Sequence, residues 1–193
     1  KTFGYHEENI IYKTDATLAD FETIFGKIEN RLGEEGRLFD HVESMRLDPG
    51  AQPDLFIFYT GRGIPHMEGR SRYIAPVDCD PLQIPTTAYP LDTLLSLLSR
   101  IPNRSATLVI DASFSGKSEK RDIQPFPGSA ADSLLDPLQF SQPNSVMFVS
   151  AGDDEIASRY ADKQHGLFTY LFLKAIGGEG DSNRDDNITA QEI

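Results

Sequence analysis

The chain has 193 residues, of which 39% are hydrophobic and 25% charged, so its length and composition suit one globular domain with a full hydrophobic core. Its 30 acidic residues outnumber the 18 basic ones, and the net charge of −12 opposes binding to nucleic-acid phosphates and to anionic membranes. The single cysteine, Cys79, excludes an internal disulfide, and no apolar run reaches the roughly 20 residues that a membrane-spanning helix needs. We therefore expect a soluble domain without nucleic acid or membrane insertion, in a cytoplasmic or a periplasmic compartment.

The first part of the chain predicts a strand followed by a helix. Residues 8–13 carry a short apolar run and predict the strand. Apolar residues at spacings of three and four predict a helix over residues 18–32. Thr17 is its expected N-cap, with Asp20 at the third helical position, and Gly33 is its expected end.

Strands and helices alternate along the rest of the chain. Residues 34–53 predict a helical turn and a surface loop, and Asp54–Thr60 predicts a central strand. The further predicted elements are a strand at 72–77, a helix from Pro90 to Leu98, a buried strand at 107–110, a long exposed loop at 117–144, a strand at 145–150 and a helix at 165–176. This alternation predicts an α/β fold with a mainly parallel sheet and helices on both faces.

Two of the predicted strands end in residues that bend the backbone. The strand at 107–110 is followed by Asp111 and, two residues later, by Ser113. Asp54–Thr60 is followed by a Gly-Arg-Gly turn around Arg62. Because ligands of open α/β sheets bind at the carboxyl ends of the strands, we expect these three side chains at one functional edge. The alternative is that Asp111 and Ser113 only cap a turn after a core strand.

Several segments resemble the caspase-like cysteine peptidases, in particular their bacterial and metacaspase-type branch. In that family one strand ends in a Gly-His-Gly turn that bears the general base, and another ends in Asp-x-Cys followed by Ser-Gly, which bears the nucleophile. The corresponding segments here are DLFIFYTGRG and TLVIDASFSG, while YIAPVDCD and QHGLFTYLFLKAIGG resemble the segment after the His and the closing helix. The resemblance covers about residues 9–192 and implies a caspase-like three-layer sandwich.

Both catalytic positions implied by this resemblance are replaced. Arg62 stands in place of the His and Ser113 in place of the Cys. Serine is a weak nucleophile without a base, and a guanidinium with a pKa above about 12 cannot accept its proton. Because the loss of either member of such a unit costs about 10⁶ in turnover, the sequence predicts a pseudo-caspase that is not an active enzyme.

Two alternatives leave catalysis open. His66, four residues after Arg62, could serve as the base of a serine hydrolase, although Pro65 stiffens that path and no orienting carboxylate is evident. Ser113 could be an engineered replacement of a natural Cys, but Arg62 argues against this because disabling the nucleophile would have sufficed. The remaining candidate, His165, is expected to cap its helix.

The resemblance also makes Asp111 the remnant of a substrate pocket. In metacaspase-type members the Asp two residues before the nucleophile helps to hold a basic substrate side chain. We expect Arg62 to pair with Asp111 and to block the groove from within, the alternative being that Asp111 caps backbone amides. The family often cuts itself in the loop after the nucleophile, where this chain has Lys117, Lys120 and Arg121. Without a nucleophile we expect the chain to stay intact on incubation, with or without calcium.

The acidic segment at residues 181–192, DSNRDDNITAQE, has the spacing of oxygen ligands found in an EF-hand calcium loop. The expected Ca²⁺ ligands are Asp181, Asn183, Asp185, Asn187, Thr189 and Glu192. Asp186 replaces the usual glycine of the loop and must adopt a left-handed conformation at a cost of roughly 1 kcal/mol. Calcium is therefore the one cofactor that the sequence predicts, with a solvated acidic turn as the alternative.

These observations predict a catalytically inactive caspase-like domain that acts as a regulatory or protein-binding module, paired with a protein partner or an active homologue. The alternative is an endopeptidase that cleaves after Arg or Lys, inactivated by an engineered substitution or working through an unrecognised serine mechanism. A flavodoxin-like binding domain is disfavoured because no phosphate-binding glycine loop follows the first strand. Since the chain starts near an early strand and stops inside the acidic loop, we expect it to be a piece of a longer protein.

Overall fold

The computed structural model of the chain describes residues 4–29, 32–45, 52–66, 71–116, 140, 142–152, 155–163 and 165–193. The chain divides into two compact units. The larger unit is Asp15–Ile156, and the smaller one combines Lys1–Thr14 with Ala157–Ile193. Within the described residues, no helix is long and apolar enough to cross a membrane.

Helices and strands alternate along the larger unit. In chain order its elements are α1 (Leu18–Phe25), β1 (Gly26–Glu29), β2 (Leu32–Glu35), α2 (Arg37–Met45), β3 (Asp54–Thr60), β4 (Arg62–His66), β5 (Ser71–Ala75), α3 (Ile84–Thr87), β6 (Tyr89–Pro90), α4 (Leu91–Leu98), β7 (Ser105–Asp111) and β8 (Ser145–Val149). The elements of the smaller unit are a 3₁₀-helix (Glu7–Asn9), β9 (Arg159–Tyr160), a 3₁₀-helix (Ala161–Lys163), β10 (His165–Gly166), α5 (Leu167–Lys174) and a π-helix (Ala175–Glu179). The predicted mixed α/β composition is confirmed.

A parallel sheet organises the larger unit. Its described strands lie in the order β3-β7-β8, and both pairs are parallel. The predicted strands at 54–60, 107–110 and 145–150 are therefore confirmed as parallel neighbours, but the central place among them belongs to β7 and not to β3. The reason is burial: Leu108, Val109 and Ile110 of β7 are fully buried, whereas Phe58 of β3 is 40% exposed.

The predicted helix at 90–98 is confirmed as α4, which supplies much of the core. Its leucines recur at helical spacing and are buried in the same cluster as the side chains of β7. Burying a leucine side chain contributes roughly 1.5–3 kcal/mol, so this helix is a main stabilising element of the sheet. Pro90 precedes the helix as its N-cap, one position earlier than a first helical residue.

The helix predicted over residues 18–32 is shorter than expected. The Thr17 cap is confirmed, since its hydroxyl accepts the Asp20 N–H at 3.2 Å and the Asp20 carboxylate accepts the Thr17 N–H at 2.9 Å. The helix ends at Gly26, not at Gly33, because Gly26 has a φ of 101° that a helix cannot continue. The chain then forms the antiparallel pair β1 and β2, with Ile28 opposite Gly33.

Three further predictions from the sequence are wrong. Residues 8–13 form no strand: a 3₁₀-helix occupies Glu7–Asn9, and Ile10 is 54% exposed, so this apolar run lacks the burial that a strand would require. Residues 34–53 contain a full helix, α2, instead of a helical turn. The turn predicted around Arg62 is limited to Gly61, because Arg62 already pairs with Ala75 in the antiparallel sheet β4-β5-β6.

The smaller unit modifies the helix predicted over residues 165–176. His165 and Gly166 form a short antiparallel pair with Arg159 and Tyr160. Gly166 is therefore the N-cap of α5, and the prediction that His165 caps the helix is wrong. Helical backbone continues from α5 into the segment Ala175–Glu179 but breaks at Gly178, whose φ of 121° is not helical, close to the end predicted at residue 176.

Candidate functional site

The carboxyl ends of β3 and β7 lie side by side. The last register pair of these parallel strands is Thr60 with Asp111. Beyond it, the Gly61 N–H donates to the Asp111 carbonyl oxygen at 3.2 Å. The two strand ends that carry the candidate residues are thus neighbours, at the edge of the sheet where α/β folds bind ligands. We call the segments 60–63 and 111–115 the rim.

Gly63 allows β4 to pack against the segment that follows β7. A Cβ atom at Gly63 would lie 2.6 Å from the Ser113 carbonyl oxygen and 2.5 Å from a ring carbon of Phe114. Real side chains do not approach backbone so closely, so only glycine permits this packing. The structure therefore brings Ser113 against the residue that follows Arg62, and both positions belong to the rim.

Arg62 is held at the rim by its backbone. The Tyr59 hydroxyl donates to the Arg62 carbonyl oxygen at 3.1 Å. Burial raises the pKa of Tyr59, so its phenol stays protonated at neutral pH and acts as a donor rather than a base. The Arg62 side chain is exposed, whereas Asp111 is only 5% exposed. The pairing of Arg62 with Asp111 stays a prediction.

The Ser113 hydroxyl lies in a network that uses its whole hydrogen-bonding capacity. Its oxygen lies 2.6 Å from the Glu155 carbonyl oxygen, 2.8 Å from the Ser115 hydroxyl and 3.3 Å from the Ser115 N–H. A carbonyl can only accept, so the single hydroxyl proton of Ser113 goes to Glu155. Ser115 must then donate both of its protons, and they fill the two acceptor positions of Ser113.

Sequence reasoning missed Ser115 and Glu155 as partners in this site. Ser115 is only 2% exposed and lies two residues after Ser113, so the Ser-x-Ser pattern is a local signal that could have identified it. Glu155 contributes its backbone carbonyl, which every residue possesses, and it is 42 positions from Ser113 in the chain. No residue type in the sequence predicts that contact.

The other candidates for catalysis are not among the rim residues 60–63 and 111–115. His66 ends β4, where it is paired in register with Ser71, and its role as a base stays a prediction. His165 belongs to the smaller unit. Lys117, Lys120 and Arg121 lie outside the described residues.

The acidic segment of the smaller unit forms a series of tight turns. Asp181 accepts the N–H groups of Asp185 at 3.1 Å and Asp186 at 3.0 Å, and Asp185 accepts that of Asn187 at 2.8 Å. Asp186 has a φ of 61°, the left-handed conformation predicted for the position normally held by glycine. Arg184 has the same φ. The side-chain oxygens of Asp181 and Asp185 therefore accept hydrogen bonds from backbone amides of the same segment.

Glu192 connects the two ends of the acidic segment through hydrogen bonds. Its carboxylate accepts the Thr189 N–H and the Thr189 hydroxyl, each at 2.9 Å, and the Ser182 hydroxyl at 3.1 Å. The bond from the Thr189 N–H is the main cause that lowers the pKa of Glu192, followed by the bond from the Thr189 hydroxyl, so this carboxylate stays ionised at neutral pH. The expected ligands thus include three carboxyl groups, those of Asp181, Asp185 and Glu192, whose oxygens are of the hard type that calcium prefers.

The donor chemistry of this segment fits calcium, although its carboxylates are not gathered into one site. Each carboxylate oxygen has two lone pairs, so the oxygens of Asp181 retain one lone pair each beside their bonds to amides. Within the described part of the chain, however, no three His, Cys, Asp or Glu side chains are grouped so that they could hold a metal ion. Binding would therefore require the carboxylates of the segment to come closer together.

Comparisons with known proteins give no relative. No protein-family model, no curated protein and no solved structure matches this chain. The resemblance to caspase-like peptidases therefore depends on the sequence segments that carry it.

Proposed function

We propose that the chain is a catalytically inactive caspase-like domain, with the three-layer sandwich of that family, which acts as a regulatory or protein-binding module. One observation carries the proposal: the only proton of the Ser113 hydroxyl is donated to the Glu155 carbonyl oxygen at 2.6 Å. A serine nucleophile needs that proton to point at a base that can remove it. A backbone carbonyl cannot take up the proton, so this arrangement supports a structural serine.

The acceptor side of Ser113 supports the same conclusion. Both lone pairs of its oxygen face donors of Ser115, so neither is directed at a substrate carbonyl. Arg62 is exposed at the rim, and an arginine side chain offers only hydrogen-bond donors, so it cannot replace the missing base. Asp111, buried beside them, is on this proposal the remnant of a pocket for basic side chains. A protein partner or an active homologue is the proposed occupant of the rim.

Peptide hydrolysis tests this proposal directly. Fluorogenic peptides that end in Arg or Lys are incubated with the chain and with the Arg62→His/Ser113→Cys double variant, with and without calcium. We expect background rates for the unaltered chain and measurable turnover for the double variant, since a thiol and an imidazole together restore the nucleophile and its base. The matched controls are the two single variants, which should both remain at background because the two groups act as a unit.

Each result of this assay decides a separate part of the proposal. Hydrolysis by the unaltered chain would establish the alternative, an endopeptidase that cleaves after Arg or Lys through an unrecognised serine mechanism. Background rates for the double variant would contradict the caspase-like scaffold, although the chain would still be inactive. Turnover by Ser113→Cys alone would favour an engineered replacement of a natural cysteine.

Calcium binding by residues 181–192 is the second part of the proposal. Asp186 stands where the EF-hand pattern has a glycine, and its left-handed φ of 61° is the conformation that this position requires. The side chains of Asp181, Asn183, Asp185, Thr189 and Glu192 and the carbonyl of Asn187 would hold the ion, which would neutralise a group of like charges and fix the loop.

A further inference from the structure

Helix α5 of the smaller unit is apolar on two sides. Its residues Leu167–Lys174 read LFTYLFLK, and a helix that is apolar all round is normally buried all round. One side meets this expectation, because Thr169 and Phe172 are buried. The opposite side does not, because Leu167 is 40% and Leu171 is 54% exposed. These two leucines are four positions apart and therefore lie one turn apart on the same side of the helix.

Two lysine ammonium groups lie beside these leucines. Tyr170 precedes Leu171 on the exposed side of the helix, and the Nζ atoms of Lys163 and Lys174 lie 5.9 Å and 5.7 Å from the centroid of its ring. At such distances a cation is attracted to the ring. The ring of Tyr160 packs edge-on against that of Tyr170, with a centroid distance of 5.0 Å, and helps to hold it in place. We call the following residues the outer face: Lys163, Leu167, Tyr170, Leu171 and Lys174.

The outer face differs in charge from the molecule as a whole. The chain has a net charge of −12, whereas two ammonium groups converge on one ring here. Lys174 forms an ion pair with Glu179 at 2.8 Å, but the two side chains are 40% and 66% exposed. Because an exposed pair of this kind contributes little stability, a carboxylate of another molecule can replace Glu179 at small cost. The complement of the outer face is therefore a surface that combines apolar side chains with carboxylates.

We propose that the outer face of α5 is a docking site for an acidic amphipathic segment of a partner protein. The apolar side of that segment covers Leu167 and Leu171, and its carboxylates lie beside Lys163 and Lys174. Charge complementarity favours this occupant over a second outer face, because two copies packed through α5 would bring like charges together. The inference goes beyond the proposed function, since the outer face belongs to the smaller unit and the rim to the larger one.

The binding of two matched peptides to the full chain tests the proposal. Both are amphipathic helical peptides with leucines on one side, and the other side carries glutamates in the first peptide and lysines in the second. The net charge of −12 by itself favours the lysine peptide, whereas the outer face favours the glutamate peptide. At an ionic strength that screens the distant charges, we expect fluorescence anisotropy to show an affinity at least about ten-fold higher for the glutamate peptide.

Substitutions of exposed side chains locate the binding on α5. The variants Leu171→Gln and Lys163→Gln/Lys174→Gln should each weaken the binding of the glutamate peptide at least about five-fold, because each removes one half of the complementarity. The matched controls are Leu82→Gln, an 80% exposed leucine of the larger unit, and Lys13→Gln, an exposed lysine of the smaller unit. Both should keep the affinity within about two-fold of the unaltered chain.

Three results would overturn the proposal. The first is the absence of measurable binding of the glutamate peptide, or an equal or higher affinity for the lysine peptide. The second is an equal loss of affinity in Leu171→Gln and in its control Leu82→Gln. The third is self-association of the unaltered chain in sedimentation velocity that Leu171→Gln abolishes, because the outer face would then be the contact between two copies. The peptide-hydrolysis assay, which decides the proposed function, is independent of all three.

Discussion

At the scale of single residues, Asp54 ties together the first residues of two parallel strands. Its carboxylate accepts the Ser105 hydroxyl at 2.6 Å and the Arg104 Nε–H at 2.9 Å, and it also forms an ion pair with the Arg104 Nη2. The hydrogen bond from Arg104 is the main cause that lowers the pKa of Asp54; burial opposes it and the Ser105 hydroxyl adds to it. Asp54 and Ser105 are also register partners, so this contact lies at the opposite end of β3 and β7 from the rim.

We expect Asp54→Asn to remove an acid-sensitive part of the stability. Because the pKa of Asp54 is lower in the folded chain, its stabilisation is present above the unfolded value of about 4 and is lost as the pH falls through the lower folded value. The pair is partly exposed, so its contribution should stay below about 1 kcal/mol. Urea unfolding of the unaltered chain and of Asp54→Asn, measured from about pH 7 to about pH 3, should show free energies of unfolding that converge as the pH falls.

The neighbouring hydroxyl offers a graded control for this experiment. Ser105→Ala removes one donor to Asp54 but leaves the ion pair with Arg104, so it should show a smaller acid-dependent loss than Asp54→Asn. A difference between the unaltered chain and Asp54→Asn that is constant over the whole pH range would show that packing, not ionisation, is responsible.

At the scale of secondary-structure elements, Gly26 determines where α1 ends and β1 begins. Its φ of 101° is a conformation that other residues adopt only with strain. A Cβ atom there would collide with the Glu34 carbonyl oxygen and lie 2.9 Å from the Gly36 N atom. The Gly26 carbonyl in turn accepts the buried Tyr89 hydroxyl at 2.7 Å, so the hairpin β1-β2 is fixed to the core at this residue.

We expect Gly26→Ala to be strongly destabilising. The left-handed backbone alone costs roughly 1–2 kcal/mol, and the collision with backbone atoms that cannot move aside adds to it, for a total above about 2 kcal/mol. Gly33→Ala is the matched control in the same hairpin, because a Cβ atom there meets only the end of the flexible Arg100 side chain. Its free energy of unfolding in urea should change by less than about 1 kcal/mol. Equal losses in the two variants would refute the special role of Gly26.

The same helix shows which elements the sequence could predict. The Thr17 cap was predictable because the side chain and the N–H that it accepts are only three positions apart. The end of α1 was not predicted correctly, because the apolar spacing continues through Ile28, which lies in a strand. Periodicity cannot distinguish a helix from the first residues of a paired strand unless the partner is known. Gly26 was the local signal against a longer helix.

At the scale of the whole molecule, the parallel strands were predictable and the hydrogen bond from Ser113 to Glu155 was not. Leu108, Val109 and Ile110 form a short β-branched and apolar run, which is typical of a strand buried on both faces, and all three are fully buried. The end of that run gave the position of the rim. The contact between the Ser113 hydroxyl and the Glu155 carbonyl joins residues 42 positions apart, and no residue pattern encodes it.

Net charge is the property of the whole molecule that most affects the calcium proposal. A net charge of −12 attracts any divalent cation, so weak binding alone would not identify a site. A specific site must instead depend on particular carboxylates, at an ionic strength that screens the others. Glu192 and Glu179 provide a matched pair for this comparison, because both belong to the smaller unit. Glu179 lies outside the acidic segment, in an ion pair with Lys174 at 2.8 Å.

We expect calorimetric titration of the chain with calcium chloride, at constant ionic strength, to give a saturable heat from one site. Glu192→Gln should weaken the affinity at least about ten-fold, because it removes the only carboxylate that can bind from the carboxyl end of the loop. Glu179→Gln, which removes the same charge, should leave the affinity within about two-fold of the unaltered chain. If no saturable heat is seen, or if the two variants lose affinity equally, the acidic segment attracts cations only through the net charge of the molecule. It then contains no specific calcium site.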